Sequence, residues 1–192
     1  MAEVLLFHHA HGLTRGVRAF ARTLERAGHT VHVPDLYEGK VFDDLGDGAA
    51  YARRTGFATL VERGRTAADA LPAGLVYAGF SAGVLPAQAL AQTRAGAKGA
   101  LLFHSCVPAS EFGGAWPPSV PVRIHSMDRD PYFMDEGDVD AARELVASAP
   151  DAELYLYPGD GHLFADSGLE AYDEKAAALL TERTLGFLAA LG

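Results

Sequence analysis

Leu75-Val76-Tyr77-Ala78-Gly79-Phe80-Ser81-Ala82-Gly83 is the stretch that decides the fold. The apolar run before Gly79 reads as a buried strand and the residues after Gly83 as a helix, so Ser81 stands at a strand-to-helix turn between two glycines. The residue types suit that geometry. So sharp a bend forces the serine backbone into a strained conformation that lifts its hydroxyl clear of the sheet. Glycines two before and two after it remove side chains that would collide across the bend. The N–H of Ala82, at the start of the helix, faces whatever the hydroxyl attacks, where free amides and the helix dipole favour an anionic oxygen. G-x-S-x-G is a weak pattern alone, because its residues are common; the flanking strand and helix give it weight. It is not a nucleotide fingerprint, since it lacks the G-x-G-x-x-G spacing.

A serine nucleophile needs a base, and the base needs an acid to orient it. On this kind of sheet they follow in the order Ser, Asp or Glu, His, on loops at the carboxyl ends of later strands. Downstream, Pro121 to His125 reads as a strand ending in Ser126-Met127-Asp128-Arg129-Asp130-Pro131, which offers two candidate acids. Ala152 to Tyr157 reads as the next strand and ends in Pro158-Gly159-Asp160-Gly161-His162-Leu163-Phe164, a turn-rich loop with one histidine. Upstream, Val4 to Phe7 is a continuous apolar run and a buried strand. The loop His8-His9-Ala10-His11-Gly12-Leu13 follows. Its H-H-x-H spacing fits metal ligation in residue type. The alternative is that the loop donates a backbone N–H, that of Ala10, to an oxyanion shared with Ala82, with His9 and His11 lining the pocket or supporting it.

The rest of the chain alternates strands and helices. Thr14 is placed to cap a helix to about Ala27, with Val17, Phe20, Ala21 and Leu24 at helical spacing and Gly28 ending it. Strands are expected at Thr30 to Val33, Ala100 to Phe103 and Val120 to Ile124. Further helices are expected over 55–71, from Ser81 to near Gly96, around 139–147 and from about 169 to 191. Residues 37–50 are rich in glycine and aspartate and read as an irregular loop near the active face; 105–119, with five prolines and glycines, read as a loop too short for a lid domain. About six strands alternating with helices imply one domain over 1–192, a mostly parallel sheet covered on both faces, with a site beyond the carboxyl ends of the first and third strands. Tyr37, Trp116, Tyr132, Phe133 and Phe164 fall on loops at that face and are candidates to wall an apolar pocket, or to fill gaps between loops. His104, His125 and Cys106 lie at strand ends, where packing explains them.

Composition limits the function. Sixteen basic against 25 acidic residues give a net charge of −9, which offers no long-range attraction to nucleic acid or anionic membranes. Hydrophobic residues are 49% and charged ones 21%, ordinary for a globular protein. The single Cys106 excludes an internal disulfide, and no signal segment or membrane-length run is visible, so a cytoplasmic location is expected. No cofactor is implied, and a homodimer is among the assemblies left open.

Taken together, the Pro34-Asp35-Leu36-Tyr37 segment, the Gly79 to Gly83 turn, the Asp130 position and Gly161-His162-Leu163-Phe164 resemble the dienelactone hydrolase family of the α/β-hydrolase fold, over nearly the whole chain. The resemblance implies a three-layer, lidless domain and a small-molecule ester or lactone as substrate. It also implies Ser81, Asp130 and His162 as catalytic residues: family members carry the acid in a turn that Met127-Asp128-Arg129-Asp130-Pro131 fits with Asp130. The sequence departs from the family's namesake in three places. Ser81 stands where that enzyme has cysteine, His9 where it has a glutamate, and Asp166 where it has an arginine that binds the substrate carboxylate. An aspartate there is expected to repel a carboxylate, which favours a neutral ester or lactone. Two rival functions remain in view: a non-catalytic small-molecule-binding or interaction module on the same fold, and a metal-dependent hydrolase built on the amino-terminal histidines.

Overall fold

The computed structural model describes residues 1–192. Six strands form one sheet: β1 (Glu3–Phe7), β2 (Thr30–His32), β3 (Val76–Phe80), β4 (Gly99–Phe103), β5 (Val122–Met127) and β6 (Ala152–Tyr157). Their order is β2-β1-β3-β4-β5-β6 and every pair is parallel. The strand order reverses between β1 and β3, where the register pairs Phe7 with Gly79, and ligands of such sheets bind beyond the carboxyl ends at this point. The central strands β3 and β4 are buried throughout, which is why they read as unbroken apolar runs.

Side chains alternate between two cores. Leu5, Phe7, Tyr77, Leu102, Val122 and Ile124 face helices α3 (Phe57–Asp69), α4 (Val84–Thr93) and α6 (Asp138–Ser148). Val4, Leu6, Val76, Ala78, Leu101 and Phe103 face α1 (Arg15–Arg26) and α7 (Glu174–Leu191). That is the period-2 alternation of a sheet covered on both sides. Thr14 caps α1 by accepting from the Val17 N–H, and Val17, Phe20, Ala21 and Leu24 form its buried stripe. No helix is long and apolar enough to cross a membrane.

The structure corrects several expectations. Residues 45–55 are not loop but α2 (Leu45–Thr55), capped by the Asp44 carboxylate on the Asp47 N–H. The cap and the run Ala49-Ala50-Tyr51-Ala52 outweigh the two glycines in its first turn. The helix expected over 55–71 begins at Phe57, because Gly56, at φ 90°, turns the chain between α2 and α3. A short α5 (Pro131–Asp135) follows Asp130, which caps it through the Tyr132 N–H. Helix α7 starts at Glu174 rather than near 169, where Asp173 caps it.

Candidate active site

Ser81 directly follows β3 and opens a single 3₁₀ turn, Ser81–Gly83, that leads into α4. Its φ is +47°, a conformation costly for any residue but glycine. The flanking glycines are dictated by contact. A β-carbon on Gly79 would run into the Gly83 carbonyl, and one on Gly83 would lie 2.6 Å from the Phe7 and His8 carbonyl oxygens. The turn therefore packs backbone against backbone on β1.

Three side chains from three loops meet here. The Ser81 Oγ lies 2.9 Å from His162 Nε2, and His162 Nδ1 lies 2.7 Å from Asp130 Oδ2. The carboxylate fixes the tautomer: Nδ1–H donates to Asp130, which leaves Nε2 to accept from the serine. Asp130 is fully buried, yet it also accepts from the Ser126 hydroxyl at 3.2 Å and the Tyr132 N–H at 3.0 Å. The Tyr132 ring lies over His162, with centroids 4.6 Å apart. Asp128, the other candidate acid, does a different job. Its Oδ1 accepts from the Gly159 N–H at 3.0 Å, and the Arg129 N–H donates to the Gly159 carbonyl at 2.9 Å. These bonds lace the loop after β5 to the loop after β6 and hold Asp130 and His162 in register.

The histidine-rich loop after β1 is held from behind. The Leu36 N–H donates to His8 Nε2 at 3.0 Å, so His8 Nδ1–H donates to the His9 carbonyl at 2.8 Å. Burial lowers the His8 pKa to about 4, so His8 is neutral and its 3.7 Å approach to Asp35 is not an ion pair. His9 Nε2 lies 2.7 Å from Asp166 Oδ2, which also accepts from the Thr14 hydroxyl at 2.6 Å; Asp166 Oδ1 accepts from the Gly168 N–H at 2.7 Å. Burial pushes His9 down. Burial also pushes Asp166 up, but the bonds from His9, Thr14 and Gly168 outweigh it and hold the carboxyl below its usual range. The pair is a neutral imidazole donating to a carboxylate. Two of the sequence's departures from the family namesake thus touch each other. Asp166, 2% exposed and fully occupied, does not face the pocket, so the expected repulsion of a substrate carboxylate does not arise from it. His11 Nδ1 donates to the Phe42 carbonyl at 2.9 Å. The three imidazoles serve separate partners, and no three His, Cys, Asp or Glu side chains are grouped to hold a metal ion.

A cleft of about 430 Å³ opens over Ser81, with Ala10, Ala82 and His162 in its wall. Leu45, Phe57, Leu85 and Val107 supply its apolar surface, and Arg53, Glu136 and Asp138 its charge. Of the aromatics expected to wall it, only Tyr132 does. His9, His11, Tyr37, Trp116, Phe133 and Phe164 are all buried elsewhere. Tyr37 packs edge-on to His8 and Tyr51, Trp116 donates to the Val120 carbonyl at 2.6 Å, Phe133 joins the core under α5, and Phe164 sits between Tyr157 and His104. Large aromatics gain more from the interior than from a half-open cleft. Sequence reasoning missed Leu45, Phe57, Leu85 and Val107, since an isolated apolar side chain on a helix or in a loop looks alike in sequence whether it faces core or cleft.

His104 was read as packing, and it is more unusual than that. It lines the cleft at the end of β4 with φ +65°, packs against Phe80, Phe164 and His162, and neither ring nitrogen has a partner. Burial, then the neighbouring His162, hold its pKa well below the ordinary value. His125 pairs through Nδ1 with the Tyr157 hydroxyl at 2.8 Å. Cys106 is buried and its thiol is pushed up by burial and by Asp138, so it is no nucleophile.

The sequence of loops around this sheet is that of the α/β-hydrolases. Within that class the model of the dienelactone hydrolase family matches residues 1–192, and the chain belongs to that family. A dienelactone hydrolase-like promiscuous phosphotriesterase from metagenomic libraries shares the fold with a TM-score of 0.78 at 20% identity, over 100% of this chain and 87% of the other. The dienelactone hydrolase of Anabaena variabilis does so at 0.74 and 16%, over 100% and 87%. Esterase 2 of Thermogutta terrifontis does so at 0.66 and 17%, over 100% and 84%. No curated protein matches the chain in sequence.

Proposed function

We propose that this protein hydrolyses a neutral carboxylic ester or lactone through an acyl-enzyme on Ser81. His162 Nε2 takes the hydroxyl proton as Ser81 Oγ attacks the carbonyl carbon. The N–H groups of Ala10 and Ala82 hold the oxyanion. The C–O bond to the alcohol then breaks, and His162 returns the proton to the departing oxygen. Water, deprotonated by the same nitrogen, attacks the acyl-serine; the acid is released and Ser81 regains its proton. Asp130 keeps His162 in the productive tautomer and stabilises the imidazolium. For a lactone the alcohol stays part of the acyl group throughout, and the last step releases one hydroxy acid. No cofactor takes part in this cycle.

Support comes chiefly from one observation, the unbroken hydrogen-bonded chain Ser81–His162–Asp130. Membership of a hydrolase family agrees with it. The cleft's own charges, two carboxylates against one guanidinium in its wall, disfavour an anionic substrate. The test is turnover of simple esters and lactones beside Ser81→Ala, with a fluorophosphonate probe on both. Labelling of the native protein at Ser81, together with loss of turnover in the variant, is expected. A protein that turns over nothing and takes up no probe is a binding module instead. Activity that a chelator removes, and a serine-directed inhibitor does not, points to a metal.

A further inference from the structure

The cleft over Ser81 does not end there. A second cavity, of about 610 Å³, shares Phe57, Leu85, Val107, Glu136 and Asp138 with it, so the two are lobes of one groove. The second lobe continues between the first turns of α3, with Ala58 and Val61, and the segment after β4, with Pro108 and Phe112. At the junction Phe57 remains 49% exposed, although the rest of the α3 apolar stripe (Leu60, Val61, Ala68) is buried. Its ring serves no core, and a chain lying in the groove is what would cover it. Charge is confined to Arg65, Glu111, Glu136 and Asp138. Asp138 is already engaged by the Ser105 hydroxyl and the Cys106 N–H, and Arg65 by Glu62.

We propose that the second lobe binds an unbranched apolar arm of the substrate, so that the preferred ester carries a medium-length alkyl or acyl chain rather than an acetyl-sized group alone. The inference rests on the hydrolase reading above and deepens it. The first lobe holds the reacting carbonyl, and the chain passes over Leu85 and Val107 to lie against Phe57, Ala58 and Phe112. Each methylene withdrawn from water there raises kcat/KM roughly three- to fourfold until the lobe is filled.

Two ester series decide which side of the carbonyl enters: p-nitrophenyl acetate, butyrate, hexanoate and octanoate vary the acyl arm, and methyl, butyl and hexyl acetates the alcohol arm. One series is expected to rise with length. Ala58→Trp fills the lobe from an exposed position and should lower the ratio of long-chain to short-chain kcat/KM at least about tenfold. Glu111→Trp does the same from the opposite wall, and serves if the first variant folds poorly. A flat or falling profile in both series, or an unchanged ratio in the folded variants, overturns the subsite while leaving the hydrolase intact. No turnover in either series, with no fluorophosphonate labelling of Ser81, overturns the hydrolase and the subsite together.

Discussion

On the proposed mechanism Ser81→Ala removes the attacking oxygen, and the loss in kcat is expected on the order of 10⁴- to 10⁶-fold in an ester assay. The two aspartates of the β5 loop give a sharper comparison. Asp130→Asn keeps the shape but presents an amide to His162 Nδ1, favours the wrong tautomer and should cost about 10⁴-fold in kcat. Asp128→Asn disturbs the bond from Gly159 and an exposed ion pair with Arg129, so it should cost about 1 kcal/mol in chemical denaturation and less than roughly tenfold in kcat. Reversal of that order would reassign the acid. The sequence alone left Asp128 and Asp130 open, because both follow the strand; the resemblance to the family favoured the second, and what separates them physically is that one is buried against His162 and the other lies 42% exposed. Loop aromatics were less legible: Tyr37, Trp116, Phe133 and Phe164 sit on loops in sequence but beneath them in space. His104 was underrated for the same reason, since neither its strained φ nor its two unpartnered nitrogens leaves a trace in sequence. Replacing it with phenylalanine keeps a flat ring and deletes an unsatisfied buried group, so the denaturation midpoint of His104→Phe should rise, by about 1 kcal/mol.

Helix α2 is the element that sequence reasoning lost. Gly46, Asp47 and Gly48 look like a turn, yet they lie in a helix, and Gly48 is glycine for a reason of contact: a β-carbon there would overlap the Ala10 carbonyl. The helix lies directly against the loop whose amide is assigned to the oxyanion. Gly48→Ala improves helix propensity and should still weaken the protein, because Ala10 must move to admit the methyl group. A stability loss of about 1–3 kcal/mol is expected, with a fall in kcat and little change in KM. A gain in stability with unaltered kcat would show that the loop yields freely. Helix α1 was easier to read, since its buried stripe follows the 3.6-residue period and its cap, Thr14, accepts from the N–H three residues on; the start of α7 was placed too early because the cap at Asp173 was not recognised.

Across the whole molecule the imidazoles set the response to acid. His8, His9, His104 and His125 are buried and all are held below their ordinary pKa by desolvation. The folded state keeps them neutral, while the unfolded chain protonates them from about pH 6.5 downward. Stability is therefore complete above that pH and falls as pH drops, to about 4 for His8 and about 3 for His125. For His8 alone the interval amounts to roughly 3 kcal/mol. Urea unfolding between about pH 7 and 4.5 should show this slope, and His125→Phe should flatten it whatever it does at neutrality. A stability curve level across that range would mean that these rings are protonated in place. The parallel sheet and its switch point were legible, because buried strands announce themselves as unbroken apolar runs, and His104 and His125 at strand ends read as packing; the full burial of His8 and His9 was not legible, since histidine is at home in loop, core and site alike.

The strand order has a temporal side. β1 emerges from the ribosome first, but its neighbour β3 pairs Val76 with Val4, 76 − 4 = 72 residues later. β2 can pair with one edge of β1 from Thr30 onward, but the other edge must wait for β3, open to other nascent chains until then. Ser81 is made well before Asp130 and His162, so on the proposed mechanism a half-made polypeptide carries a dormant hydroxyl, and its chemistry would begin only once the last third of the chain has arrived.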